Sequence, residues 1–191
     1  MITVVTGPMR SGKSEFIIKL LNSNEFDNKN IRVFYPKIME KENGFITSSD
    51  GSRYKAIPIS DIINIYPFVV NTNIVVIDEF QFIDNLNYES RLDFFNFIEY
   101  CISNDINLIL SGLDLDFRSQ GFEIVKEVLC IADKVIKLNS NCDYCDSKLG
   151  RRCIRYVNNK VANHNDEVIQ METEDIKYKT ACVKCYKKIY R

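Results

Sequence analysis

Apolar residues in this chain gather in five short runs rich in Val and Ile, at 2–6, 31–35, 74–77, 107–111 and 134–138. The runs are nearly continuous rather than alternating, the pattern of strands covered on both faces. Helical spacing of apolar positions fills several intervals, at 13–21, 91–103 and 121–132. Strands alternating with helices predict an α/β fold built on a parallel sheet, extending to about residue 138. The stretch 40–55 is polar, contains Gly44 and Gly51, and reads as a long exposed loop of the kind that carries function. After Leu138 the periodicity weakens and charges scatter among paired cysteines. The chain therefore divides into a nucleotide-binding unit at 1–138 and a small metal-held unit at 139–191, which is too poor in apolar residues to fold on burial alone.

The first run feeds Gly7-Pro8-Met9-Arg10-Ser11-Gly12-Lys13-Ser14, and a helical pattern follows directly. Strand, glycine loop and helix are the context that makes GxxxxGK[ST] a phosphate site. Backbone N–H groups of such a loop converge on phosphate oxygens, and the helix N-terminus adds its positive end. Lys13 would reach the β- and γ-phosphates, and Ser14 would ligate Mg²⁺. The competing reading is a glycine turn leading into a surface helix. With the loop in place, the fold class becomes that of P-loop nucleotide-binding proteins of the RecA type.

The run 74–77 ends in Asp78-Glu79. A carboxylate at the end of an apolar strand, beside a glycine loop, suits Mg²⁺, so Asp78 joins Ser14 as a candidate ligand. Glu79 stands where a general base could take a proton from an attacking hydroxyl. The alternative is an acidic pair that merely opens a loop. Arg118 follows the apolar run at 107–111 and could supply a cation for transition-state charge, or be a solvated surface arginine. Phe117 fits either the core or an aromatic pocket wall.

The chain has 191 residues, 46% hydrophobic and 27% charged, with a net charge of −1, values that support a globular core and argue against a strongly basic nucleic-acid surface. No apolar run approaches the ~20 residues needed to span a bilayer. The polar glycine loop begins after six residues, where a secretory leader would be apolar, so a cytoplasmic location is expected. Of seven cysteines, four form two CxxC pairs, Cys142/Cys145 and Cys182/Cys185, with 36 residues between the pairs. Four thiolates in two knuckles give a closed tetrahedral set that suits structural Zn²⁺, with the intervening segment looping out from its base. His164 lies in that excursion and reads as a surface residue. Cys101 and Cys130 read as small core residues, and Cys153, after Arg151 and Arg152, as an unreactive thiol.

Taken together, these motifs resemble the thymidine kinase family shared by the vertebrate cytosolic enzyme and many bacteria. The resemblance runs nearly end to end. It rests on Thr6 to Ser14, on Ile77-Asp-Glu-Phe-Gln-Phe82, on Gly112-Leu-Asp-Leu-Asp-Phe-Arg118, and on Tyr178 four residues before Cys182. It implies ATP and thymidine as substrates, a nucleotide-salvage reaction giving dTMP, dTTP as feedback inhibitor, and a homotetramer without nucleic-acid or membrane partners. It also implies Glu79 as the general base for the 5′-hydroxyl, Gln81 among the ATP-binding residues, and Asp50 at the deoxyribose. Met9, Phe82, Leu113, Phe117 and Tyr178 match the positions lining the thymine pocket. The segment between the knuckles matches a lasso that closes over the nucleoside. Three features depart from the family pattern: Arg10 replaces a Phe or small residue, Gln170 to Lys177 lacks the usual glycine, and Arg151 to Arg155 holds the usual arginine out of clean register. The readings from other classes are a different P-loop ATPase and a zinc-ribbon nucleotide-sensing module. A base at Glu79 distinguishes the kinase from a pure sensor.

Overall fold

A computed structural model describes residues 1–85 and 89–190, and side chains throughout these ranges except at 40–42. The elements in chain order are β1 (Ile2–Thr6), α1 (Lys13–Leu21), β2 (Ile31–Pro36), β3 (Phe45–Thr47), β4 (Arg53–Lys55), β5 (Ile57–Ile59), β6 (Ile74–Ile77), α2 (Ser90–Ser103), β7 (Asn107–Gly112), α3 (Glu123–Ile131) and β8 (Lys134–Lys137). The C-terminal part adds β9 (Arg152–Val157), β10 (Lys160–Val161), β11 (Ile176–Ala181) and α4 (Val183–Ile189). Six strands form one parallel sheet in the order β5-β2-β6-β7-β1-β8.

The continuous apolar runs follow from burial on both sheet faces. Val4, Val75, Ile77, Leu108 and Leu110 point into one core with Phe94, Phe97 and Ile98 of α2 and Ile124, Val125 and Val128 of α3. Val5, Val33, Tyr35, Val76 and Ile109 point into the other, with Ile17, Ile18 and Leu21 of α1. Because successive strand residues face opposite ways, a sheet with two apolar faces leaves no polar position to mark its period.

Register fixes what meets at the carboxyl edge. Strand β7 lies between β6 and β1, with Ile77 opposite Leu110 and Thr6 opposite Gly112. The glycine loop, the Asp78-Glu79 pair and the 112–118 segment therefore leave the sheet side by side, where open α/β sheets bind ligands.

Two expectations are corrected. The polar stretch 40–55 is not a plain loop: β3 and β4 pair antiparallel within it, with Ile46 opposite Tyr54. One buried residue, Ile46 at 2% exposure, anchors this hairpin, which is too little apolar signal to read as a strand. Cys130 is exposed rather than in the core, whereas Cys101 is buried as expected. The sheet also gains an edge strand, β5, in which Pro58 is tolerated because edge strands can spare an N–H.

After β8 the chain builds a separate three-stranded sheet, β10-β9-β11, in which Tyr178 pairs with Arg155 and Thr180 with Cys153. It docks on the main sheet's carboxyl edge. The Thr180 hydroxyl donates to the Met9 carbonyl at 3.1 Å, and the Tyr186 hydroxyl to that of Phe117 at 3.1 Å.

Candidate active site

The glycine loop turns through Gly12, whose φ of 81° lies in the left-handed region, and passes straight into α1. Lys13 is buried and donates from Nζ to the carbonyls of Gly7 at 3.2 Å and Pro8 at 3.0 Å. Ser14 Oγ donates to Asp78 Oδ2 at 3.3 Å, so the hydroxyl and carboxylate nominated for Mg²⁺ converge across the sheet edge. Burial pushes the Asp78 carboxyl up to about 6, helped by the neighbouring Glu79 charge. Glu79 N donates to Asp78 Oδ1 at 3.1 Å and Lys13 lies near, but these offset the burial only in part, and a divalent cation suits the Ser14–Asp78 donor pair.

Glu79 adopts a left-handed backbone, φ 54°, unusual for a residue with a side chain. Its carboxylate is held from behind: Gln81 Nε2 donates to Glu79 Oε2 at 2.5 Å, and Leu113 N donates to Gln81 Oε1 at 3.0 Å. A side chain at residue 112 would run into Gln81 Oε1, which explains the glycine at the end of β7. Gln81 is 1% exposed, and its amide is spent on Glu79 and Leu113. The structure thus places the Gln81 amide against Glu79 and the β7 end. Motif reading alone could not show these contacts.

A cavity of about 370 Å³ opens over this edge. One wall is the glycine loop from Met9 to Ser14 with Glu79; another is apolar, with Phe82, Leu113, Phe117 and Phe122; the third is the segment 168–172 with Tyr178. Met9, Phe82, Leu113, Phe117 and Tyr178, proposed from sequence for one pocket, are brought together here. Phe117 serves both of its readings, being 2% exposed and part of the wall. The segment is fastened at both ends. The Tyr178 hydroxyl donates to the Gln170 carbonyl at 2.7 Å, and Arg155 Nη1 donates to the Glu167 carbonyl at 2.6 Å.

Asp50 and Arg118, nominated for the deoxyribose and for the developing charge, stand outside the wall. Asp50 is exposed at the β3–β4 turn, where the Ser48 hydroxyl and the Ser52 N–H hold its carboxyl down to about 2; Thr47, Ser48 and Ser49 face the cavity instead. Arg118 is clamped by Asp116, with Nη2 at 2.7 Å and Nε at 2.8 Å from Oδ2, and Asp116 itself lines the cavity.

Arg155 was missed by sequence reasoning. It is fully buried, with its guanidinium 3.8 Å from the Phe117 ring centroid, joining the apolar wall to the base of the 168–172 segment. No alternation marks it in β9, where Cys153, Ile154 and Arg155 are all buried.

Below this sheet the four knuckle thiols, of Cys142, Cys145, Cys182 and Cys185, all lie within 4.8 Å of one another. The Cys185 N–H holds Cys182 down to about 7, whereas its three sulfur neighbours push Cys185 up to about 12. Four thiols this close cannot all ionise without a cation between them, so the donor set is compatible with structural zinc. His164 is outside the cluster, packed edge-to-face with Tyr190 at 4.7 Å between ring centroids. Among the described residues no helix is long and apolar enough to cross a membrane.

Comparison with known proteins agrees with this geometry. The thymidine kinase family model matches residues 1–186. The chain is 35% identical to a thymidine kinase of Mycoplasma mobile over 188 residues, covering 97% of this chain and 86% of that protein. It is 36% identical to a thymidine kinase of Onion yellows phytoplasma, covering 88% and 78%. A thymidine kinase of Mycoplasmoides gallisepticum is 33% identical, with coverage of 88% and 73%. A single family model matched over residues 1–186, with relatives 33–36% identical over most of their length, places the chain in the thymidine kinase family.

Proposed function

We propose that this protein transfers the γ-phosphoryl group of ATP to the 5′-hydroxyl of thymidine, giving dTMP and ADP. The observation that carries the reading is that one cavity has the glycine loop on one side, an apolar nucleoside-sized recess on the other, and Glu79 between them. Glu79 takes the hydroxyl proton as the 5′-oxygen bonds to the γ-phosphorus and the bond to the β–γ bridging oxygen breaks, releasing ADP. The glycine loop N–H groups and Lys13 hold the phosphates. Ser14 and Asp78 would hold Mg²⁺, which neutralises phosphate charge when bound. Phosphoryl transfer asks for positioning and charge neutralisation more than covalent chemistry. The apolar wall at Phe82, Leu113 and Phe117 would take the base, and residues 168–172 would close over it. Arg118 is assigned to the developing charge, reaching it after release from Asp116.

In this reading residues 1–138 are the kinase unit and residues 139–191 carry the lid, whose base the knuckles hold with Zn²⁺. Free thiols at all seven cysteines fit a reducing, cytoplasmic setting. A homotetramer inhibited by dTTP follows from the family resemblance and is tested by light scattering and by titrating dTTP. No feature of the site favours a general ATPase or a nucleotide sensor. The test of the substrate is transfer from radiolabelled ATP to thymidine, deoxyuridine, deoxycytidine and deoxyguanosine. Label in dTMP is expected; transfer to none of the four overturns the proposal.

A further inference from the structure

The lid is acidic, and the loop it faces is built to hold an anionic phosphate chain. Between residues 166 and 175 stand Asp166, Glu167, Glu172, Glu174 and Asp175, with no Lys or Arg from 162 to 176. Of these, Glu172 lines the same cavity as Ser11, Gly12 and Lys13 of the loop. Left alone, that carboxylate would repel the phosphates whenever the lid closed.

Arg10 stands between the two. It occupies the glycine loop with a left-handed backbone, φ 59°, and its guanidinium reaches both sides of the lid unit. Nη2 lies 3.9 Å from Glu172 Oε1, and Nη1 lies 3.8 Å from Asp143 Oδ2 in the first knuckle. Exposed ion pairs usually contribute little, because ordering two long side chains costs entropy. Here both carboxylates are already ordered: Tyr178 N donates to Glu172 Oε1 at 3.2 Å, and Thr180 N donates to Asp143 Oδ2 at 2.6 Å. Most of the remaining ordering cost falls on Arg10 alone. The Thr180 hydroxyl, bonded to the Met9 carbonyl, pins the adjacent loop residue to the same strand.

We propose that Arg10 is a positioning residue that compensates the acidic lid, letting it close over a loaded phosphate loop and so setting thymidine affinity in the ATP-bound enzyme. Arg10 acts on thymidine through the lid, not through the phosphates. The thymidine arm of this inference rests on the kinase reading; the lid contact does not.

The test uses the full-length, zinc-loaded protein and the variants Arg10→Asn, Glu172→Gln and their combination. Asparagine tolerates the left-handed backbone, and glutamine keeps the acceptor for Tyr178 N. Arg10→Asn is expected to speed amide hydrogen exchange across 167–178 and to raise the thymidine KM at saturating ATP about fivefold, with smaller effects on kcat and on the ATP KM. Adding Glu172→Gln is expected to bring that KM back toward the parent value, since the uncompensated carboxylate is gone. Unchanged exchange in Arg10→Asn overturns the proposal, as do additive losses in the double variant or an effect confined to the ATP KM. If the parent protein phosphorylates no nucleoside, the kinase reading fails, while the exchange measurement still decides whether Arg10 holds the lid.

Discussion

At the scale of single residues the site is held together by carboxylates in unfavourable places. Asp78 is buried beside Glu79, and its carboxyl is pushed from an ordinary 3.8 to about 6. The folded chain therefore keeps a proton between about pH 4 and pH 6 that the unfolded chain has released, so this group's contribution falls as pH rises through that window. Above pH 6 the buried charge costs about 3 kcal/mol in the metal-free protein. Asp78→Asn should accordingly raise the Tm of metal-free protein at pH 7.5 by roughly 6–12 °C, and by about a third of that at pH 4.5, while abolishing turnover. Calorimetry at the two pH values checks this; equal shifts at both would contradict it. Glu79 follows the same logic of function over comfort, with its left-handed backbone and its Gln81 clamp.

At the scale of elements, the closing segment 167–178 depends on a few hydrogen bonds to its own backbone. The Tyr178 hydroxyl holds the Gln170 carbonyl, so Tyr178→Phe should raise the thymidine KM about fivefold with a smaller change in kcat, the size of one lost hydrogen bond. Steady-state kinetics checks it, and a fall in kcat alone would contradict it. Elements with a strong apolar signal were legible in the sequence: the continuous runs of β1 and β6 and the helical spacing of α1 keep their expected bounds. The β3–β4 hairpin and β5 were not, because one buried isoleucine and a proline-containing edge give no period to read. The convergence of Lys13, Ser14, Asp78 and Glu79 at one sheet edge was legible from motif context. The partners of Gln81, Arg118 and Asp50 were not, since each turns on a contact set by folding: Glu79 for Gln81, Asp116 for Arg118, Ser48 for Asp50. Arg10 and Glu172 were each visible as departures; only the fold put them together.

At the scale of the molecule, one cavity lies between two sheets, and the cysteine knuckle fixes the smaller sheet that carries the lid. Metal loading should therefore govern thiol chemistry. In the loaded protein an alkylating reagent should label exposed Cys130 first, while Cys101, pushed up to about 12 by burial, and buried Cys153 stay unmodified. Chelation should add the four knuckle cysteines to the labelled set and remove activity together, followed by mass spectrometry; knuckle labelling indifferent to chelator would contradict the metal assignment. The whole account turns on Glu79 as the base at the meeting point of loop, strand and lid. The most direct measurement is thymidine-dependent phosphoryl transfer by Glu79→Gln, with ATP binding followed in parallel by calorimetry. The account predicts ATP affinity within about twofold of the parent and a kcat lower by about 10²–10⁴-fold. Turnover at the parent rate would contradict it.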